Sequence, residues 1–307
     1  MDGRFPTLLA AAHGEARGAP TFSLALAALP GAHWSACTPA GALRRWRLLE
    51  LGTADSLMTS PLRIDERVLN YLVGTPHPDE RLRGSVEPVP SGGPMPAGRV
   101  ARATELALRW RRTPSTGTDI LALHGGDASL RRSLATAVAE AIGVGLLAVR
   151  SDAIPNAPDE RVDWLRLVER ECVLTDAAVL LEQVDAAADR NAERVLTHAL
   201  ETIGAPVIVS GEHPPLPSGR GMMVAEVAAL SYAEQRDAWR DALGERANTL
   251  NGNLERVAGQ FRIGLDAIQA VGSALQNAGP ESDGQLWSLC RSFARPRLDG
   301  LAHRIEP

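Results

Sequence analysis

The sequence contains no lysine, and all 32 of its basic residues are arginines. This absence bears on phosphate chemistry, because phosphate-binding loops use a compact lysine ammonium that arginine does not replace. Aromatic residues amount to only 4%, so leucine, alanine and valine must fill the cores. No apolar run approaches the length of a membrane-spanning helix, and we therefore expect no membrane segment.

Cysteine is also scarce. Cys37, Cys172 and Cys290 are odd in number, widely separated and never arranged as C-x-x-C. This pattern excludes a disulfide framework and a cysteine zinc site, and it favours reduced thiols. Because the N-terminus also lacks a secretory signal pattern, we predict a cytoplasmic location and no bound metal at these residues.

The charge is unevenly distributed around a net value of −5. Residues 1–150 hold 17 arginines and 13 acidic residues, whereas residues 151–307 hold 15 arginines and 24 acidic residues. Such asymmetry can bring neighbouring subunits together, and it equally fits two independently solvated surfaces. The acidic total disfavours nucleic acid as a partner.

An apolar run, a glycine pair and a helical pattern follow one another in residues 118–143. The run 120–123 predicts a buried strand, and Leu134, Val138 and Ile142 mark one face of a helix. Strand, glycine turn and helix form the context of a phosphate-binding loop, where the helix N-terminus offers free N–H groups.

The loop chemistry departs from the working pattern G-x-x-x-x-G-K-[ST]. When the pattern is laid from Gly125, the second glycine falls on Leu130, the lysine on Arg131 and the hydroxyl residue on Arg132. Ser133 comes one place too late. We therefore expect no ATP hydrolysis by this loop.

The strand predicted at residues 177–181 ends in Glu182-Gln183, where ATP-hydrolysing proteins commonly carry two acids for magnesium and the attacking water. Only one acid is present, and we predict no catalytic residue. The sequence predicts a degenerate nucleotide site at Gly125, Gly126, Arg131, Arg132, Ser133 and Glu182. Glu169 and Glu171 fall on different faces of a predicted helix, and we expect both to be solvated.

The remaining pattern predicts an α/β fold. Apolar strands at 146–149, 177–181 and 206–210 alternate with helices at 159–172 and 191–203, which indicates a parallel sheet with helical crossovers. From residue 230 the pattern is wholly helical. It opens with a capping box from Ser231 to Glu234, and predicts a small helical lid.

Before the sheet, short helices and extended pieces predict a winged-helix-like domain. One of these helices has Asp65 as N-cap and Gly74 as its stop, with Val68, Leu69 and Leu72 on the buried face. Residues 91–98 are rich in proline and glycine and predict a linker.

The runs at residues 43–50 and 61–72 resemble the winged-helix region of bacterial AAA-type ATPases associated with contractile injection systems. The resemblance implies a helical, winged-helix-like domain followed by a first ATPase module with degenerate motifs. It implies the following division: domain 1–90, linker 91–98, degenerate AAA-type α/β domain 99–228, helical lid 229–300, and linker 301–307 into a second module with an intact phosphate loop.

The function implied is a non-catalytic region that regulates the ATPase, assembles it and docks a partner. The resemblance implies the second module or identical subunits as its partners, with a hexamer as the assembly; it identifies no further protein partner. An ATP-binding module with atypical motifs, holding ATP or ADP with magnesium, stays open as an alternative. A winged-helix nucleic-acid binder is the second alternative, favoured by the basic cluster 44–47 and opposed by the acidic charge.

Overall fold

The computed structural model describes residues 4–13, 19–75, 77–93, 95–112, 120–184, 190–213, 215, 219–249, 253–277 and 283–299. The predicted linker 301–307 lies outside these residues. The helices are α1 (Phe5–His13), α2 (Phe22–Ala28), α3 (Ala42–Arg45), α4 (Glu66–Leu72), α5 (Ala97–Arg112), α6 (Ala128–Ile142), α7 (Pro158–Thr175), α8 (Arg190–Thr202), α9 (Tyr232–Leu243), α10 (Asn253–Gln260), α11 (Leu265–Asn277) and α12 (Asp283–Asp299). The strands are β1 (Leu49–Leu51), β2 (Leu62–Ile64), β3 (Val86–Pro88), β4 (Ile120–His124), β5 (Gly145–Arg150), β6 (Ala177–Glu182), β7 (Val207–Gly211) and β8 (Met222–Glu226).

The chain forms two compact units, and the first contains residues 1–84 together with 155–174. Its strands β1 and β2 pair in antiparallel fashion, with Glu50 opposite Arg63. The Asp65 side chain accepts the first free N–H groups of α4, which confirms the predicted N-cap. The predicted buried face of α4 is wrong at Leu72, which is 68% exposed, whereas Arg67 is buried.

Arg67 is buried because it has a buried partner on α7. Its Nε and Nη2 atoms each donate to the Glu171 carboxylate at 2.8 Å, and both side chains are only 6% exposed. The expectation that Glu171 would be solvated is therefore wrong. A bidentate guanidinium satisfies both oxygens of the carboxylate and so offsets much of the cost of burying its charge.

A second buried cluster in the same unit surrounds Arg170, which is 2% exposed. Its guanidinium forms ion pairs with Asp65 and Asp79, and Arg81 binds the same two carboxylates. Burial opposes ionisation of Asp79, but the hydrogen bonds from Arg81 and the charges of Arg81 and Arg170 outweigh it and lower its pKa. Arg67 of α4 and Arg170 and Glu171 of α7 thus belong to the interior of the unit.

The second unit contains residues 85–154 and 175–307. Its six-stranded sheet has the order β3-β5-β6-β7-β4-β8, and all neighbouring pairs are parallel except β3 with β5. The predicted parallel sheet is confirmed, and its four predicted strands are present as β4, β5, β6 and β7. The two edge strands, β3 and β8, were not predicted.

The helices α9 to α12 follow the sheet, as the pattern from residue 230 predicted. The capping box is present, because the Ser231 hydroxyl accepts the Glu234 N–H while the Glu234 carboxylate accepts the Ser231 N–H. All three cysteines are buried and free. Within the described part of the chain, no helix is both long and apolar enough to cross a membrane.

Candidate nucleotide site

The predicted site lies at the carboxyl ends of β6, β7 and β4. Glu182 pairs with Ser210 in the register of β6 and β7, and Ser210 pairs with Leu123 in the register of β7 and β4. The turn after β4 is short, since β4 ends at His124 and α6 begins at Ala128. A phosphate-binding loop needs a longer stretch of free N–H groups than these three residues provide.

Gly125 and Gly126 form the turn in the left-handed region, with φ values of +78° and +56°. Gly126 also lies against the neighbouring strand end, because a Cβ atom there would meet the Val227 carbonyl oxygen at 2.7 Å. Glycine is therefore required at position 126 by a close approach of two backbones and by its φ angle. The glycine pair predicted as a phosphate cradle makes a tight turn against the protein's own backbone.

Asp127 occupies the N-terminus of α6. Its Oδ1 atom accepts the Leu130 N–H at 2.9 Å and the Ser129 hydroxyl at 2.7 Å. A carboxylate at this point satisfies the helix dipole in the way that a bound phosphate would. Asp127 was missed as a site residue, although an aspartate three residues before a buried leucine is a recognisable N-cap signal.

Arg131 stands where a working loop has lysine, and its side chain is turned into the loop. Its Nη1 atom donates to the carbonyl oxygens of Gly125 at 2.8 Å and Gly126 at 3.2 Å, and its Nε donates to Ser210 Oγ at 3.1 Å. The residue is only 6% exposed. The guanidinium therefore stabilises the turn through hydrogen bonds. The turn presents carbonyl oxygens to it, whereas a phosphate site would present N–H groups.

The remaining predicted site residues separate into two places. Arg132 Nη1 contacts both carboxylate oxygens of Glu182, the nearer at 3.1 Å. The acid that could hold magnesium is thus paired with an arginine. Ser133 lines a different groove between α5 and α6, alongside Thr104 and Met95.

A cavity of about 470 Å³ opens in front of the turn. It is lined by Gly126, Asp127, Ala128, Ser129, Arg131, Glu212, Ile263, Gly264, Ala267 and Phe293. Burial raises the pKa of nearby Asp266, and the charge of Asp127 raises it further. The lining itself carries two carboxylates, Asp127 and Glu212, and one guanidinium, Arg131.

These residues do not fit a nucleoside triphosphate with magnesium. The N–H groups are few, one is already bonded to Asp127, and the acids at the cavity would repel phosphate. Among the described residues, no cluster of three or more histidine, cysteine or acidic side chains could hold a metal ion.

Two segments of the chain match known families. Residues 231–296 match the family described as "Contractile injection system ATPase helical domain". Residues 32–86 match the family described as "Winged helix domain, variant". The first segment covers most of α9 to α12 and the second lies in the first unit, so the resemblance inferred from the sequence is confirmed. No curated protein matches the chain.

Solved structures of AAA proteins resemble the chain distantly. The FIGL-1 AAA domain in complex with ADP shares 12% identity over 73% of this chain and 95% of that one, with a TM-score of 0.49. PCH-2 from C. elegans shares 13% identity over 66% of this chain and 68% of that one, with a TM-score of 0.41. Rhizobiales Trip13 shares 13% over 73% and 99%, with a TM-score of 0.37. Similarity at this level carries no argument about activity.

Proposed function

We propose that this chain, which combines a winged-helix segment with the helical domain of a contractile injection system ATPase, is a non-catalytic region of an AAA-type ATPase. It regulates and assembles the ATPase and docks a partner, in the service of a contractile-injection-system-like assembly. Identical subunits or a second ATPase module are its assembly partners. The observation that carries the proposal is the turn after β4, where Asp127 caps α6 and Arg131 is bonded into the loop.

Calorimetric titration of the full chain with ATP and magnesium tests this proposal. We expect no binding tighter than about 1 mM, which corresponds to about 4 kcal/mol, and no phosphate release. The variant Arg131→Ala should behave like the wild type in both assays. Tight binding with turnover that Arg131→Ala abolishes would establish the alternative, an ATPase in which arginine serves in place of lysine.

Nucleic-acid binding is the other alternative, and the basic cluster 44–47 is already engaged within the first unit. Arg44 Nη1 donates to the Cys37 carbonyl at 3.0 Å, and Arg47 pairs with Asp163. The Arg45 guanidinium lies 5.6 Å from the centroid of the adjacent Trp46 ring. Fewer arginines are then available to neutralise phosphates than the sequence suggests.

We therefore expect the full chain to leave the mobility of duplex DNA unchanged at low salt. An electrophoretic shift that weakens steeply as salt rises is the result that would contradict this expectation. A basic winged-helix protein assayed in parallel shows that the assay detects such binding.

A further inference from the structure

The helices α9 to α12 connect to the sheet through a short segment after β8, and this segment is braced. Arg99, near the start of α5, donates to the carbonyl oxygens of Ala228 at 2.8 Å and Ala229 at 3.0 Å. The same guanidinium donates to both carboxylate oxygens of Glu234, at 2.7 and 3.1 Å. Arg99 therefore binds both the connecting segment, at Ala228 and Ala229, and the first turn of α9, at Glu234, which is where a lid would hinge.

Glu234 is part of this brace and of the capping box of α9. The hydrogen bonds from Arg99 lower the pKa of Glu234 to about 2, with help from Ser231. The side chain of Arg99 is 14% exposed and that of Glu234 is 26% exposed. The pair is thus partly shielded from water, which favours a lasting contact over a transient surface pair.

A second fastening lies at the corner between α10 and α11. A Cβ atom at Gly264 would meet Ser129 Oγ at 2.8 Å and Asp127 Oδ1 at 2.9 Å. The corner therefore rests directly on the capped N-terminus of α6. The Gln235 amide holds the same corner from behind by donating to the Phe261 carbonyl at 2.8 Å.

Between these two fastenings the hydrophobic core is continuous. Leu130 and Leu134 of α6 belong to the same buried cluster as Trp239 of α9 and Ile268 of α11. All four are at most 4% exposed. A swing of the helices would have to break this packing and the Arg99 hydrogen bonds, and to separate Gly264 from the start of α6.

We propose that the helical region is locked onto the sheet by the Arg99 brace and the Gly264 corner contact, and does not open as a hinged lid. The proposal rests on the proposed function, since a module without nucleotide chemistry has no use for a nucleotide-driven hinge. In this proposal the Asp127 carboxylate occupies the position at the start of α6 where a phosphate would bind, and the Gly264 corner packs against it.

Distance measurements between two spin labels test the lock in the full chain. Labels placed by Glu193→Cys on α8 and Ala270→Cys on α11 would occupy exposed positions, while the native cysteines are buried. We expect a single narrow distance in the wild-type background, unchanged by millimolar ATP and magnesium. Gly264→Ala and Arg99→Met should each add a second population displaced on the order of 5 Å or more.

Two control variants match these changes. Gly284→Ala adds a methyl group in α12 where nothing lies within 4 Å. Arg102→Met, on the same helix as Arg99, removes only an exposed pair with Glu105. Neither control should alter the distance.

Two wild-type distances, or no effect of either test variant, would overturn the lock. If ATP leaves those two distances unchanged and calorimetry detects no binding, the non-catalytic function still stands. If ATP moves the label and calorimetry detects binding, both proposals fail.

Discussion

Replacing Arg170 with methionine is expected to lower the free energy of unfolding of the first unit by about 3–5 kcal/mol, because two buried carboxylates lose a partner. Methionine keeps much of the volume, so the loss is chiefly electrostatic. The Asp65 side chain is 1% exposed and that of Asp79 is 3% exposed. Neither can regain the lost contact from water, although Arg81 still binds both.

The measurement is native-state hydrogen exchange at the amides of α4, which reports the opening of this unit. Arg166→Met is the matched control on the same helix, since the Arg166 side chain is 42% exposed and its partner Asp163 is 3.7 Å away. The control should cost less than about 0.5 kcal/mol. Adding Asp79→Asn to Arg170→Met should recover part of the loss. Equal costs for the two arginine variants would refute a stabilising role for the buried cluster.

The variant Gly126→Ala is expected to cost about 2–4 kcal/mol, as the sum of two penalties. The first is the φ angle of +56°, which a Cβ atom disfavours. The second is the contact of that Cβ atom with the Val227 carbonyl oxygen at 2.7 Å. Because the obstacle is backbone, a rotamer change cannot relieve it.

The control for this variant is Gly143→Ala at the other end of α6. Gly143 has a φ of +82° but nothing within 4 Å of its would-be Cβ atom. Its cost should be about 1 kcal/mol, from conformation alone. Hydrogen exchange of the β4 amides measures both variants, and the difference isolates the backbone contact. If Gly126→Ala costs no more than Gly143→Ala, the turn does not depend on that close approach.

The strands of the sheet could be predicted because they are short, wholly apolar runs. The strand predicted at residues 177–181 extends over Ala177–Glu182, and that predicted at 206–210 over Val207–Gly211. β8 escaped prediction because an edge strand is only partly buried, and Val224 in it is 51% exposed. The alternation that marks a half-buried strand is weak there.

The polar interior of the first unit could not be predicted, for a different reason. Arg67 and Glu171 are separated by 104 positions, and no local pattern connects residues so far apart. Each reads as a surface charge by itself. Pairing of distant charges depends on the tertiary fold, so the periodicity of α4 could not show that Arg67 is buried and Leu72 exposed.

The residues of the candidate site could be predicted from the sequence, but the backbone conformation of the turn could not. The phosphate-loop pattern, laid from Gly125, put its lysine position on Arg131. The start of α6 at Ala128 depends on the N-cap Asp127. The orientation of the Arg131 guanidinium towards the carbonyl oxygens of the turn depends also on Ser210, which lies on another strand. The sequence alone therefore left nucleotide binding open, because the residues on which the phosphate-loop pattern was laid could form either a loop or the first turn of α6.

The helix α7 carries a consequence for how the protein is made. The winged-helix segment, residues 32–86, leaves the ribosome long before residues 158–174, which supply Arg170 and Glu171 to the same unit. During that interval the carboxylates of Asp65 and Asp79 and the guanidinium of Arg67 await partners, so vectorial folding of the first unit must pause until the second is well under synthesis. Chimaeras between related proteins would have to exchange the two segments together.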